Sequence, residues 1–148
     1  MKKQNFREQN RILILLHYFS LIGVLVFYYS GKYLHWPIFT VILAIGFFVI
    51  LIVSFFKVFI KTKFWKMVHT SNKNLDEREM LVVLNGLKSS YSIFTITCLI
   101  IIYTFALIGY HRIDVLLAGA LLLLAHTLQA AIIGWKEKYS ASDKDWFE

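Results

Sequence analysis

PIFTVILAIGFFVILIVSFF, residues 37–56, runs for twenty residues without a charged side chain. That is the length a helix needs to cross the roughly 30 Å hydrocarbon core of a bilayer. Three further runs share the property, 12–29, 93–110 and 115–134, and none of the four contains Asp, Glu, Lys or Arg. Lipid offers no hydrogen bonds to a backbone, so spans of this kind close their bonds internally as α-helices, and the alternation of a barrel strand is absent. With 58% hydrophobic residues, a water-soluble domain would have too little polar surface to cover four such helices. The chain is expected to be an all-α integral membrane protein, a single domain over 1–148 folded as a four-helix up-down bundle with short loops between neighbouring spans.

Charge gives the expected orientation. Fourteen of the sixteen Lys and Arg fall before the first span (Lys2, Lys3, Arg7, Arg11), between the second and third (Lys57, Lys61, Lys63, Lys66, Lys73, Arg78, Lys88) or after the fourth (Lys136, Lys138, Lys144). Only Lys32 and Arg112 occupy the other two loops. Basic residues near span ends stay on the cytoplasmic side, which places both termini there and reads as a multi-pass protein of a bacterial cytoplasmic membrane. The net charge of +7 accordingly points to anionic lipid headgroups, and nucleic acid is not an expected partner because the basic residues border apolar spans instead of a readable soluble module. Aromatic residues mark the same boundaries: Tyr28, Tyr29, Tyr33, Trp36 and Tyr110 at the outer interface, Trp65, Tyr91 and Trp135 at the inner one. The first run follows basic residues as a signal peptide would, yet it ends in Phe27-Tyr28-Tyr29-Ser30-Gly31-Lys32 with no small-x-small cleavage site, and reads as a retained span. Pro37 is expected in the first turn of the second helix, where its missing N–H costs nothing.

The segment 57–88 is the one substantial polar stretch. Its lysines alternate with Val58, Phe59, Phe64, Trp65, Met67 and Val68, so the second helix is expected to run on beyond the membrane with its lysines snorkelling. Thr70-Ser71-Asn72-Lys73-Asn74 reads as a turn. Asp76, followed three residues later by Glu79, forms an acidic variant of the capping box, which starts the third helix near Asp76 and carries it about 35 residues to Tyr110, roughly 50 Å. The acidic start of that helix then stands level with Lys63 and Lys66 on the extension of the second.

Leu75-Asp76-Glu77-Arg78-Glu79 immediately before a span resembles a motif of uncharacterised prokaryotic families of small multi-span membrane proteins, over about 74–103. The resemblance implies no activity. It implies that Asp76, Glu77, Arg78 and Glu79 serve beyond capping, and with Lys63 and Lys66 they form the candidate interaction surface.

Within the spans the polar residues are few. No intramembrane carboxylate is present for a proton relay or a small multidrug exchanger. His17, His126 and Gln129 are the candidate intramembrane polar contacts, and His17 and Gln129, each five residues from a cytoplasmic end, suit an interhelical hydrogen bond. Gly119, His126, Ala130 and Gly134 fall within about 60° on a helical wheel and suggest a small-residue packing seam. The two histidines differ in depth by about 4.5 Å, a poor match for bis-His haem, and metal-ligand spacings are missing. No cofactor, metal or catalytic residue is expected: Cys98 stands alone in the third span, and nucleophile-elbow and phosphate-loop motifs are absent. The reading is a non-enzymatic interaction, regulatory or immunity-type protein, since its layout resembles that of several small basic four-span immunity proteins. Expected partners are anionic lipid, a second copy of the chain and a protein at the hairpin. The alternative is an oligomeric channel or small transporter lined by Thr95, Thr97, His126 and Gln129.

Overall fold

The structure, a computed structural model, describes residues 2–35, 37–61, 64–69, 77–108 and 114–136. Every element among them is helical: α1 (Lys2–Tyr33), α2 (Ile38–Phe55), a π-helical turn (Phe56–Ile60), α3 (Phe64–His69), α4 (Glu77–Ile108) and α5 (Val115–Lys136). Four stretches are long and apolar enough to cross a membrane, Glu8–Tyr33, Ile38–Ile60, Glu77–Ile108 and Val115–Lys136, so the chain is a multi-pass α-helical membrane protein. Large apolar side chains stand on the outside of these helices, among them Phe48, Val53, Leu99, Ile102 and Leu122. Lipid is the solvent that tolerates such a surface; water is not.

The chain separates into two compact units. One holds α1, α2, the π-turn and residues 134–136; the other holds α3, α4 and residues 115–133 of α5.

In the first unit α1 and α2 pack through two matching seams. On α1, Asn10, Ile14, His17 and Leu21 are buried, with Val24 and Tyr28 half-buried and Gly31 buried beyond them. On α2 the sequence is Thr40, Ala44, Phe47, Leu51, Ser54 and Val58. Both alternate steps of four and three, which keeps one stripe of a helix facing its neighbour. His17 meets Ser54 and Gly23 meets Phe47, so positions ascending on one helix meet positions descending on the other. The four-residue connection 34–37 permits this reversal: Leu34 N–H closes on the Ser30 carbonyl at 2.9 Å, and His35 takes a left-handed φ of 59° that stops α1.

Pro37 sits one position earlier than expected, as the N-cap with ψ 140° outside the helix. Its carbonyl accepts both the Thr40 N–H (3.0 Å) and the Thr40 hydroxyl (2.7 Å), a closure that does not require proline inside the first turn. The second helix does continue past Phe56, but as a π-turn closed by Lys61 N–H on the Phe56 carbonyl at 3.1 Å.

In the second unit α4 is described over Glu77–Ile108, and the expected ends at Asp76 and Tyr110 lie outside the described residues. Val83, Gly86 and Ser90 form its buried side, and Gly86 lets Ile133 of α5 come so near that a Cβ there would stand 2.8 Å from Ile133 Cγ1. Asp114 caps α5: its Oδ1 accepts the Leu117 N–H at 2.9 Å and its carbonyl the Ala118 N–H at 3.0 Å. The expected seam on α5 is divided. Ala130 and Gly134 are buried, while His126 and Gly119 are exposed, and a Cβ at Gly119 would meet nothing within 4 Å. Burial of α5 concentrates in its last turns, so alignment on a helical wheel extended the seam beyond the part that has a neighbour.

Candidate functional site

Buried polar side chains are spread along the α1–α2 pair, from Asn10 through His17, Ser20 and Ser54 to Thr40, and two of them meet across it. His17 is fully enclosed. Its Nδ1 stands 3.0 Å from Ser54 Oγ, and the Ser54 hydroxyl donates to the Leu51 carbonyl at 2.9 Å. The serine proton is thereby directed at Leu51, which leaves its lone pair to accept from His17 Nδ1–H. In this tautomer Nε2 carries a lone pair, and it has no partner among the described residues. Around the imidazole stand Tyr18 (5.4 Å, edge-on), Phe59 (5.1 Å, edge-on) and Phe55 (6.2 Å).

Phe59 reaches that position because of the π-turn. A widened turn brings two successive residues, Val58 and Phe59, to the buried side, where a regular α-helix would bring one. The histidine is therefore roofed by an aromatic ring that regular helical phase would turn away. The arrangement does not activate Ser54 as a nucleophile, since its proton is held by a backbone carbonyl and both side chains are enclosed.

Six residues before His17, Arg11 lies over the ring of Trp135 with its guanidinium carbon 5.0 Å from the centroid, and its Nη2 donates to the Trp135 carbonyl at 3.2 Å. Its Nε is buried and without a partner among the described residues. A cation stacked on tryptophan and bonded to the same residue's backbone is fixed in direction, and contributes about 0.5 to 2 kcal/mol depending on its desolvation.

No family model, curated protein or solved structure matches the chain. The site therefore rests on its own geometry.

The sequence-predicted residues divide among several places. Gln129 donates from Nε2 to the Val83 carbonyl at 3.3 Å within the second unit, while His17 bonds Ser54 within the first. His126 turns outward, with Nδ1 3.1 Å from the carbonyl of Leu122 one turn earlier. Glu77 and Arg78 are exposed and Glu79 half-buried in the first turn of α4, and Lys66 is exposed on α3. Also on α3, Trp65 stacks on His69 at 4.2 Å, and His69 Nδ1 bonds the Trp65 carbonyl at 2.8 Å. Asp76 and Lys63 lie outside the described residues, as do the 70–74 turn, Trp36 and Tyr110. Thr97 and Thr104 bond carbonyls of their own helix, Ile93 and Ile100, and Cys98 is a half-buried free thiol. Sequence reading missed the Arg11–Trp135 pair and the role of Ser54. The signal for the first was a cation and a tryptophan each flanking an apolar run at the same expected boundary.

Proposed function

We propose that the chain is a bacterial cytoplasmic-membrane protein with both termini cytoplasmic, acting without catalysis as an interaction, regulatory or immunity-type protein whose accessible surface is the hairpin around 57–88. The observation that carries this reading is where polarity is placed. Within the spans, Ser20, Thr97, Thr104 and Thr127 bond carbonyls of their own helix, and His17 is enclosed by aromatic rings. Lys57, Lys61, Lys66, Glu77 and Arg78, by contrast, are exposed at helix ends. Among the described residues, the charged groups open to a partner then stand at the ends of the helices. The resemblance of the Asp76–Glu79 stretch to uncharacterised small membrane-protein families supports the same surface.

The test is capture of partners from solubilised membranes with Asp76, Glu77, Arg78 and Glu79 replaced by Asn, Gln, Gln and Gln. Loss of specific partners is expected, and an unchanged set of partners would remove the hairpin reading. Orientation is tested in a Cys98→Ser background. Lys32→Cys should label from outside intact cells, and Lys66→Cys only after permeabilisation.

One observation favours the alternative of an oligomeric channel. His126 is exposed in mid-span, where a second copy of the chain would cover it. Ion flux in liposomes that is lost on His126→Leu or Gln129→Leu would select that reading; silent liposomes across pH and voltage would reject it.

A further inference from the structure

The outward face of α1 carries an apolar groove of about 510 Å³ lined by Ile12, Leu15, Leu16, Tyr18, Phe19 and Ile22. It borders the contact with α2 at Phe19, whose ring is tilted to Phe47 at 6.0 Å, and otherwise faces away from the buried seam of Asn10, Ile14, His17 and Leu21. Arg11, Leu15, Tyr18 and Ile22 follow the spacing of four, three and four that stacks side chains along one helix face, so Arg11 stands at the head of the groove. From Arg11 to Ile22 the helix rises about 16 Å, close to half the thickness of the hydrocarbon core. The groove thus has the depth of one leaflet, with a cation at the boundary where the span begins.

That cation is prepared for an anion. The contact with the Trp135 ring and the bond to its carbonyl hold the guanidinium in place, and among the described residues the bond engages Nη2. Among the described residues no carboxylate pairs with Arg11. Among the described residues Glu8 stands exposed one turn before it, and Lys57 and Lys61 are exposed at the same end of the α1–α2 pair, two cations to one carboxylate. Guanidinium donors match phosphate oxygens in geometry.

We propose that this face of α1 binds one anionic glycerophospholipid, its phosphate on the Arg11 guanidinium and an acyl chain along Leu15, Phe19 and Ile22. Charge complementarity selects the head, and the one-leaflet apolar groove selects a lipid over a free anion. The site is built from α1 and Trp135 and does not depend on the hairpin.

The experiment uses the full chain in vesicles with Trp36, Trp65 and Trp146 replaced by Phe, so that Trp135 reports alone. Its quenching by phosphatidylglycerol with brominated chains is compared with that by brominated phosphatidylcholine at equal mole fraction and fixed ionic strength. An anionic preference of about five-fold is expected, the scale set by one basic residue at a membrane surface. Arg11→Gln should reduce the ratio to about one, and Arg11→Lys should retain part of it. Leu15→Phe with Ile22→Phe fills the groove while leaving Arg11 and Trp135 in place, and should at least halve the preference. Helical circular dichroism accompanies each variant; should Arg11→Gln fail to fold, Arg11→Lys and the groove variant decide. Equal quenching by both lipids, a ratio indifferent to Arg11 and to the groove, or abolition of the ratio by inorganic phosphate would each overturn the proposal.

Discussion

His17 Nδ1 and Ser54 Oγ, 3.0 Å apart, join α1 to α2 at a point wholly shut off from the surroundings. The bond belongs to a short chain, His17 to Ser54 to the Leu51 carbonyl, roofed by Phe59 from the π-turn. Each link orients the next: the carbonyl takes the serine proton, the serine lone pair takes the imidazole proton, and the ring is held against the aromatic side chains. Interhelical hydrogen bonds in membranes average about 0.6 kcal/mol and reach about 2, so the pair sets rotation and register more than stability.

Coupling between these two residues is the first prediction. Ser54→Ala removes the acceptor and should cost about 0.5–1 kcal/mol, because the vacated Leu51 carbonyl remains near the imidazole. His17→Leu keeps volume and removes an unpaired buried nitrogen, so it should lie within about 1 kcal/mol of the parent. With both changed, the cost of Ser54→Ala should vanish. A double-mutant cycle by reversible unfolding in mixed micelles measures this, and simple additivity would contradict the bond.

Gly23 supplies the second. On α1, Phe19, Gly23 and Phe27 form a slot in which the Phe47 ring lies, stacked on Phe27 at 5.3 Å and tilted to Phe19 at 6.0 Å. A Cβ at position 23 would stand 2.5 Å from Phe47 Cδ1. Gly23→Ala gains about 1 kcal/mol of helix propensity, but overpacking costs typically about 1–3. Net destabilisation is expected, larger for Gly23→Val. Phe47→Leu should restore stability in the Gly23→Ala background while lowering it alone; absence of rescue would show that the slot is not the constraint.

Asp114 gives a prediction confined to one helix end. Its carboxylate holds the Leu117 N–H, so Asp114→Ala should cost about 1 kcal/mol, whereas Asp114→Asn and Asp114→Ser should cost a few tenths. Hydrogen exchange of the amides from Val115 to Ala118 is the sensitive readout. Equal protection in Asp114→Ala and Asp114→Asn would deny the cap.

These three sites differ in how far the sequence announces them. The spans were legible because a bilayer leaves an unbroken signature, and the acidic Glu77 and Glu79 ahead of the third apolar run do stand in the first described turn of α4, with Asp76 itself outside the described residues. Asp114 carried the same kind of signal, a capping residue directly before the fourth run, and was overlooked. Pairings across helices were a different matter. His17 with Ser54 depends on the relative height of α1 and α2, which the four-residue connection and the left-handed His35 determine. Arg11 and Trp135 are 124 residues apart. The π-turn has no compositional mark at all: Phe56-Lys57-Val58-Phe59-Ile60 reads as ordinary helix, and only the neighbouring α1 seam gives Val58 and Phe59 a reason to be buried together.

Packing of α4 on α5 is tested at Gly86. Ile133 is 1% exposed, and a Cβ at Gly86 would meet its Cγ1 at 2.8 Å and Cδ1 at 3.1 Å. Beside them Gln129 donates to the Val83 carbonyl, its Cγ 3.8 Å from the same Cβ position. Gly86→Ala therefore presses on an enclosed β-branched side chain with little rotamer freedom, and should destabilise by about 1–3 kcal/mol less the propensity gain of about 1. Ile133→Ala alone should cost about 2–5 kcal/mol from the cavity it leaves. Combined, the two changes should cost less than their sum, because the new methyl group at position 86 moves into the space that the isoleucine vacates. Gln129→Leu separates shape from polarity: it keeps the packing volume, removes one donor and should cost no more than about 1 kcal/mol. Should Gly86→Ala and Ile133→Ala prove additive within about 0.3 kcal/mol, the two residues do not touch, and this account of the α4–α5 contact fails.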